Sequence, residues 1–425
     1  MLSKYIFLAG TKLRNPSLIS WYYYLKYAEK WPIEKSVEYQ IEKCRDLLHF
    51  ANENSPFWRK YFEEHNFLVS QFNSLEDLKK LPPISKSDLL KFNFEIHSNF
   101  NFNKRFFSET SGTTGEVLKF WKDEEWDSFN RASIMRGYSW HGVKPWDRNG
   151  YFWGYNFKQT EIWKTRLLDL LQNRFRLFSY EKKPILKFVK KLQKAKYLHG
   201  YSSMIYEVAK ICNQLGLKIN SLKMVKGTSE KIYDPYQSEI HKAFGITAIN
   251  EYGAAETGII GFECPFGKIH VNMQGVIIEE ENNEIIVTNL VSKSFPVIRY
   301  KLGDYIELSP VIKCNCGLHT PIIKTIIGRI GKTVYGINNL YPSLTFYYIF
   351  KNLALNHSIN LNYQAIQHTK GDIIFNIEQH LSITDKEKLT QEINKYFKDD
   401  IRFEIQEGQH LHKMDGKQKD FISTI

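Results

Sequence analysis

The sequence predicts an α/β fold, with a large first domain built on a mostly parallel sheet and a small α+β domain at the C-terminal end. Between residues 197 and 253, helical patterns alternate with short apolar strands. Such alternation is typical of parallel strands covered by helices. Strand-like runs dominate from Val276 to Ile327, which predicts a β-rich part of the large domain. A chain of 425 residues is also too long for one ordinary hydrophobic core.

Two amphipathic helices are predicted outside this alternation. The first is expected to end before Ser55-Pro56, and its apolar face consists of Val37, Ile41, Cys44 and Leu48. The second lies in the basic run 182–196 and carries Ile185, Phe188, Val189 and Leu192 at helical spacing. That spacing favours a solvated amphipathic helix over a binding site for anions.

The alternating region itself contains two helices and three strands. A strand at Tyr197-Leu198 leads to a helix that Gly216 ends, and a second strand follows at 222–225. Asp234-Pro235 is expected to cap and begin the next helix, which ends at Gly245. Ala248-Ile249 then begins the third strand.

The sequence after residue 275 predicts a β-rich region, followed by the small α+β domain. Residues 276–279 and 285–290 flank a polar turn and predict a β-hairpin. We predict a domain boundary near Gly328-Arg329, giving domains of residues 1–328 and 329–425. In the second domain, Thr384 and Glu387 stand at the spacing of a capping box that opens a helix.

Composition restricts the class of protein. The net charge is +12, which suits anionic partners such as nucleotides, nucleic acid or an anionic membrane surface. No recognisable nucleic-acid-binding motif is present, so that class is disfavoured. The apolar stretch near Tyr5 is too short for a signal peptide, and no run approaches a transmembrane span. We therefore expect a cytoplasmic protein with its five cysteines reduced.

A run of hydroxyl side chains and glycines is the first candidate for a functional site. Glycines let backbone amides approach an anion closely, and hydroxyls supply further donors, as a phosphate site requires. The run consists of Ser108, Glu109, Thr110, Ser111, Gly112, Thr113, Thr114 and Gly115. It continues with Glu116 instead of Gly-Lys-Ser/Thr, which argues against a Walker P-loop. A polar surface turn is the alternative.

Three later motifs follow in order. Tyr252-Gly253-Ala254-Ala255-Glu256 places a carboxylate beyond a strand end, where ligands bind in open α/β sheets. Gly303-Asp304 places an acid on a turn, able to accept two hydrogen bonds from a diol. Gly416-Lys417 places a lysine near the C-terminal end. Each is weak evidence alone.

This ordered set resembles the adenylate-forming superfamily, and within it the phenylacetate–coenzyme A ligase-like branch, which includes relatives from capsular polysaccharide biosynthesis. The resemblance implies that residues 108–115 hold the ATP phosphates and that Gly227, Thr228 and Ser229 line the adenine. It also implies nucleotide contacts from Glu251, Tyr252 and Gly253. Glu256 is similar to the family's magnesium ligand, and Asp304 to the residue that binds the ribose hydroxyls. Arg329 is similar to the hinge residue, and Lys417 to the lysine that reaches the site during adenylation.

The resemblance predicts an enzyme that uses ATP and Mg²⁺ to activate a small carboxylic acid, then passes the acyl group to a thiol such as coenzyme A or to an amine. Two departures motivate an alternative, a catalytically degenerate nucleotide-binding protein of the same fold. Glu116-Val117 stands where many members of the resembled family have Lys-Pro, so that one phosphate-facing cation is missing or is replaced by Lys119. Gly331-Lys332 replaces an acidic pair after the hinge. The acid's identity and the oligomeric state stay open, a homodimer included.

A metal site is the last prediction. Cys264, His270, Cys314 and Cys316 offer three thiols and an imidazole, which is a complete tetrahedral zinc set, although the spacing is not a standard finger. Buried free cysteines are the alternative from the residues alone. Some members of the resembled branch have such residues at these places, which implies a structural zinc. Cys44 and Cys212 are expected in the core.

Overall fold

The computed structural model describes residues 2–110, 117–152, 159–177, 182–228, 232, 234–282, 284–309, 314–329, 333–409, 411, 413–414, 417–418 and 420–425. The helices are α1 (Leu2–Arg14), α2 (Leu18–Ala28), α3 (Ile33–Asn54), α4 (Pro56–Glu64), α5 (Lys86–Lys91), α6 (Asn93–Ile96), α7 (Glu124–Trp140), α8 (Gln159–Leu171), α9 (Lys182–Leu192), α10 (Ser202–Gln214), α11 (Asp234–Phe244), α12 (Leu344–His357) and α13 (Ile383–Phe397). The strands are β1 (Arg105–Glu109), β2 (Lys119–Asp123), β3 (Asn149–Phe152), β4 (Arg174–Arg176), β5 (Tyr197–Tyr201), β6 (Met224–Thr228), β7 (Ala248–Ala254), β8 (Gly258–Glu263), β9 (Ile269–Val271), β10 (Val276–Glu281), β11 (Glu284–Asn289), β12 (Tyr300–Ser309), β13 (Ile322–Arg329), β14 (Thr333–Tyr335), β15 (Leu340–Pro342), β16 (Tyr363–Thr369), β17 (Asp372–Ile377), β18 (Arg402–Gln406), β19 (Lys413–Met414), β20 (Lys417–Gln418) and β21 (Phe421–Ser423).

A mixed sheet of eleven strands organises the large part of the chain, in the order β10-β11-β12-β13-β9-β8-β7-β6-β5-β3-β4. Parallel pairing joins β4, β3, β5, β6 and β7. All other pairings of this sheet, from β7–β8 through β9, β13, β12 and β11 to β10, are antiparallel. The α/β prediction is confirmed, and the predicted β-rich part continues the parallel strands within one sheet.

The predicted helical faces are buried as expected. In α3, Cys44 and Leu48 are fully buried. In α9, the four apolar residues of the basic run are also buried, so its lysines cover an amphipathic helix. Cys212, on the inner face of α10, lies in the core, as predicted. The predicted hairpin is β10–β11, with Val276 opposite Asn289.

A second, four-stranded sheet, β18-β17-β16-β21, packs with α12 and α13 near the C-terminal end. Its core consists of residues from Val334 to Phe421, including Phe346, Phe375 and Leu389. The capping prediction for α13 was wrong. Ser382 is the N-cap and accepts from the N–H of Asp385 at 3.1 Å, whereas Thr384 is already inside the first turn.

Among the described helices, none combines the length and apolar character needed to cross a bilayer.

Candidate active site

The hairpin formed by β1 and β2 carries the candidate phosphate loop. Ser108 lies opposite Phe120 in this antiparallel pair. Thr110 closes the base of the loop, because its N–H donates to the Leu118 carbonyl at 2.9 Å and its Oγ1 accepts from the Leu118 N–H at 3.0 Å. Five predicted phosphate-binding residues lie outside the described part of the chain: Ser111, Gly112, Thr113, Thr114 and Gly115.

Two reciprocal hydrogen bonds join segment 252–256 to segment 300–304. The Tyr252 hydroxyl donates to Asp304 Oδ2 at 2.9 Å, and the Tyr300 hydroxyl donates to Glu256 Oε1 at 3.1 Å. We call this arrangement the tyrosine–acid clasp. It links the two segments that contain the carboxylates predicted to bind ribose and magnesium.

The clasp requires a strongly coiled sheet. Three strands separate β7, which contains Tyr252, from β12, which contains Asp304. In a flat sheet these strands would be about 19 Å apart, far beyond the reach of a tyrosine. The antiparallel part of the sheet therefore turns back on itself, in the sense that strand twist favours.

Glu256 is the more deeply buried acid of the clasp, with 2% of its surface exposed. Its backbone carbonyl accepts from Asn289 Nδ2 at 3.3 Å, which fixes the turn after β7. A buried carboxylate needs compensating partners, because burial removes its hydration. The Tyr300 hydroxyl supplies one of them.

The predicted adenine segment contains a buried ion pair. Glu251 Oε2 lies 2.5 Å from Lys226 Nζ, and the side chains are 9% and 4% exposed. Thr228 Oγ1 also donates to Glu251, at 3.3 Å. Glu251, on β7, therefore already has two partners on the neighbouring strand β6, which are Lys226 and Thr228. Ser229 lies outside the described residues.

Two glycines of the predicted motifs have packing reasons for their identity. A Cβ at Gly227 would stand 2.5 Å from Ser202 Oγ, and one at Gly253 would stand 2.2 Å from the Gly258 carbonyl oxygen. Both distances are too short for any side chain. Packing therefore requires glycine at 253, where the near atom belongs to the backbone, and disfavours a larger residue at 227, where side chains would have to move.

Arg329 and Lys417 are placed by their backbones only. Arg329 ends β13 and lies opposite Asp304 of β12. Lys417 begins β20 and lies opposite Met414 of β19. The side chains of both residues are outside the described part of the structure.

The structure brings the four predicted metal ligands into one cluster. The ligand atoms of Cys264, His270, Cys314 and Cys316 all lie within 4.8 Å of one another. The Cys264 and Cys314 sulfurs are 3.8 Å apart, and Cys316 Sγ is 3.2 Å from His270 Nε2. Cys264 follows β8, His270 lies in β9, and the other two precede β13, so adjacent strands hold the cluster.

The surroundings of the cluster suit a metal ion. His270 Nδ1 is 3.0 Å from Thr320 Oγ1, which orients the ring so that Nε2 faces the sulfurs. Tight turns follow two of the cysteines: the Gly267 N–H donates to the Cys264 carbonyl, and the Gly317 N–H to the Cys314 carbonyl, both at 2.9 Å. The group therefore has the donor chemistry and spacing of a site that could hold a metal.

Comparison with known proteins gives consistent relatives, although no protein-family model matches the chain. It is 22% identical over 315 residues to protein CapK of Staphylococcus aureus, covering 69% of this chain and 67% of CapK. It is 23% identical over 292 residues to phenylacetate-coenzyme A ligase of Escherichia coli (strain K12), covering 64% and 67%.

Solved structures show the same fold. The chain superposes on 2-hydroxyisobutyryl-CoA ligase in its postadenylation state, in complex with R3-HIB-AMP, with a TM-score of 0.71 and 15% identity, covering 93% of this chain and 91% of the ligase. The TM-score is 0.60, at 18% identity and the same coverage, for that ligase in its thioesterification state. The chain therefore has the fold of this CoA ligase, and its sequence is similar to CapK and to a phenylacetate-coenzyme A ligase.

The structure adds a buried cation that the sequence analysis missed. Alternation along β2 turns Leu118, Phe120 and Lys122 inward, whereas Lys119 is exposed. Lys122 is 8% exposed, and its ammonium lies 5.2 Å from the centre of the Trp126 ring. Among the described residues no hydrogen-bond acceptor contacts this ammonium. The period-two pattern of residues 118–122 was the sequence feature that could have identified Lys122 as an inward-facing residue.

The electrostatics of Lys122 connect the β1–β2 hairpin with the clasp. Burial lowers the pKa of Lys122 to about 8, and the negative charges of Asp127 and Glu256 oppose that decrease. A lysine that titrates near neutral pH, held by desolvation beside a carboxylate, is typical of functional sites.

A second buried polar group lies on the parallel strands of the large sheet. The ring of Tyr151 packs 4.5 Å from that of His199, which is 3.3 Å from both the Tyr138 hydroxyl and Asn149 Oδ1. Burial, together with the charges of Arg174 and Lys226, keeps the pKa of His199 well below its usual range. His199 is therefore a neutral, hydrogen-bonded interior residue.

Proposed function

We propose that this protein is an ATP-dependent, AMP-forming carboxylate ligase. It would activate a small carboxylic acid as an acyl-adenylate and pass the acyl group to a thiol or an amine. The tyrosine–acid clasp is the observation that carries the proposal, because it joins the segment that contains Glu256 to the segment that contains Asp304. Sequence relatives include a phenylacetate-coenzyme A ligase, and structural neighbours include enzymes with bound acyl-adenylates.

The first half-reaction follows from the residue types. A carboxylate oxygen attacks the α-phosphorus of ATP, the bond from that phosphorus to the bridging oxygen breaks, and pyrophosphate leaves. Negative charge grows on the phosphoryl oxygens, so the site must offer donors and cations. Glu256 would hold a magnesium ion, which neutralises phosphate charge when bound. Asp304, oriented by the Tyr252 hydroxyl, would accept from the ribose hydroxyls.

Two lysines would supply positive charge. We assign Lys122 to the inner side of the phosphate-loop hairpin, where its charge interacts with that of Glu256. Lys417 would enter the site during adenylation and leave before transfer. Such alternation needs a mobile small domain, which we place at residues 329–425. A core formed entirely after residue 333 supports this division.

In the second half-reaction, a thiol or amine attacks the acyl carbon, the bond to the AMP oxygen breaks, and AMP leaves. Neighbours favour each acceptor: one is a 2-hydroxyisobutyryl-CoA ligase with coenzyme A bound, and another is an amide bond synthetase with a TM-score of 0.50. The name of the relative CapK motivates a role in surface polysaccharide biosynthesis. A cytoplasmic reaction would have ATP and coenzyme A at hand.

Carboxylate-dependent exchange of pyrophosphate into ATP tests this function. The panel should contain aryl, short acyl and sugar acids, and at least one acid should support exchange that requires Mg²⁺. Glu256→Gln should abolish the exchange, whereas Glu280→Gln, an acidic residue outside the clasp, should not. If ATP binds and no acid supports exchange, the protein is a degenerate nucleotide-binding member of the fold.

We propose in addition that the cysteine–histidine cluster holds a structural zinc ion. Three thiolates and one imidazole form the tetrahedral set that zinc prefers, and the cluster ties β8 and β9 to the segment before β13. Protein purified without added zinc should contain about one equivalent of the metal. Cys316→Ser should lower that content, whereas Cys212→Ser, a matched core cysteine, should not. Less than about half an equivalent in the unaltered protein would argue against the site.

A further inference from the structure

Helix α8 exposes an apolar stripe to solvent. The stripe consists of Trp163, Leu167, Leu170 and Leu171, which are 74%, 60%, 73% and 41% exposed. At 3.6 residues per turn these positions span an arc of about 100°. Asp169, on the other side of the helix, is buried and accepts from Arg176 at 2.9 Å. Asp169 thus faces the protein, whereas the apolar stripe of α8 faces outward.

Helix α1 packs beside α8 and has the same character. Its exposed stripe consists of Leu2, Tyr5, Ala9 and Leu13. Leu2, Tyr5 and Leu13 are 73%, 63% and 79% exposed, while Thr11 on the opposite side is buried. Two adjacent helices therefore present leucine, tyrosine and tryptophan to solvent. Exposed apolar patches of this kind mark interaction sites.

Both helices carry cations. Helix α1 contains Lys4, Lys12 and Arg14, of which Arg14 pairs with Asp127 at 3.4 Å, and no acidic residue. Helix α8 contains Lys164 and Arg166 together with Glu161 and Asp169. The ammonium of Lys104 donates to the Leu13 carbonyl at 2.7 Å, at the end of α1. In α8, the Arg166 guanidinium lies 5.5 Å from the Trp163 ring. Apolar stripes with tryptophan and flanking basic residues are the features of helices that lie in a membrane interface.

We propose that the face formed by α1 and α8, here called the α1–α8 face, docks on the surface of an anionic lipid bilayer. Leucines and Trp163 would enter the headgroup region, and the basic residues would pair with lipid phosphates. Electrostatic complementarity favours this occupant over a second copy of the chain, since two copies would each bring the same positive charge. The net charge of +12 acts in the same direction. This docking is independent of the adenylation chemistry.

Co-sedimentation with lipid vesicles tests the proposal. The protein should bind vesicles of phosphatidylcholine with about one third phosphatidylglycerol much more tightly than vesicles of phosphatidylcholine alone, and salt should weaken binding. The double substitution Trp163→Glu with Leu170→Glu should reduce the partition coefficient by at least about tenfold. Phe94→Glu, which alters an 89% exposed residue on α6, is the matched control and should have no effect.

A second variant separates docking from folding. Lys12→Gln keeps both apolar stripes and removes one charge, so it should weaken binding to anionic vesicles about fivefold without changing the circular dichroism spectrum. Absence of binding, equal binding to both kinds of vesicle, or an equal loss in Phe94→Glu would overturn the proposal. So would a dimer, seen by sedimentation velocity without lipid, that the double variant dissociates, because the face would then belong to a second copy.

Discussion

Replacing Lys122 by methionine should make the protein more stable and less active. The fold lowers the pKa of this lysine from 10.5 to about 8. That difference corresponds to a cost of about 3 kcal/mol whenever the folded protein must carry the charge. Because the folded pKa is the lower one, the cost is complete below pH 8 and disappears as the pH rises towards 10.5. The substitution also removes the contacts of the ammonium with the Phe120 and Trp126 rings, which reduces the gain in stability by about 1 kcal/mol.

Lys122→Met should therefore unfold at a higher temperature than the unaltered protein at pH 7, and the difference should shrink by pH 10. Pyrophosphate exchange should fall by about tenfold to a hundredfold, because a charge near the phosphates is lost. Lys194→Met, at an exposed position after α9, is the control for both measurements. A variant that is less stable at pH 7, or that keeps full exchange activity, would refute the assignment of Lys122.

Three further substitutions probe the site and its support. Lys417→Ala should slow adenylation by about a hundredfold or more while leaving transfer from supplied acyl-adenylate intact, as rapid-quench measurements of each step would show; equal loss of both steps contradicts its role. Tyr252→Phe should lower kcat/KM for ATP by about tenfold to a hundredfold, since Asp304 loses a charge-assisted hydrogen bond, and an unchanged value would remove the clasp from nucleotide binding. Lys226→Met should destabilise the fold by about 3–5 kcal/mol in denaturant unfolding, with much of the loss restored by adding Glu251→Gln. Failure of that rescue would show that the ion pair is not the cause.

The helices and strands that are specified by local sequence patterns could be predicted from the sequence. The apolar face of α3, the helix α11 that ends before Gly245, and the β10–β11 hairpin could be predicted because periodicity and turn residues specify them. The cysteine–histidine cluster was also within reach, since its residue types are distinctive. In α13 the prediction selected the wrong cap, because Ser382 and Thr384 offer the same hydroxyl two residues apart.

The features that sequence reasoning missed depend on contacts distant in the chain. Nothing local indicates that Tyr252 meets Asp304, because that contact requires the coiling of the whole antiparallel part of the sheet. Lys122 resembles a surface lysine until Leu118 and Phe120 are recognised as its inward-facing neighbours on β2. The stripe of α8 likewise resembles an ordinary core face, and only its burial pattern shows that it faces solvent.

Transfer of carboxylate oxygen to AMP is the most direct test of the central claim, that this site forms an acyl-adenylate. An acid that supports exchange is labelled with oxygen-18 in its carboxylate and incubated with ATP, Mg²⁺ and the acceptor. If the carboxylate attacks the α-phosphorus, the AMP that leaves in the second half-reaction must carry a labelled oxygen, detected by mass spectrometry. Labelled inorganic phosphate together with ADP, or AMP without label, would contradict the account.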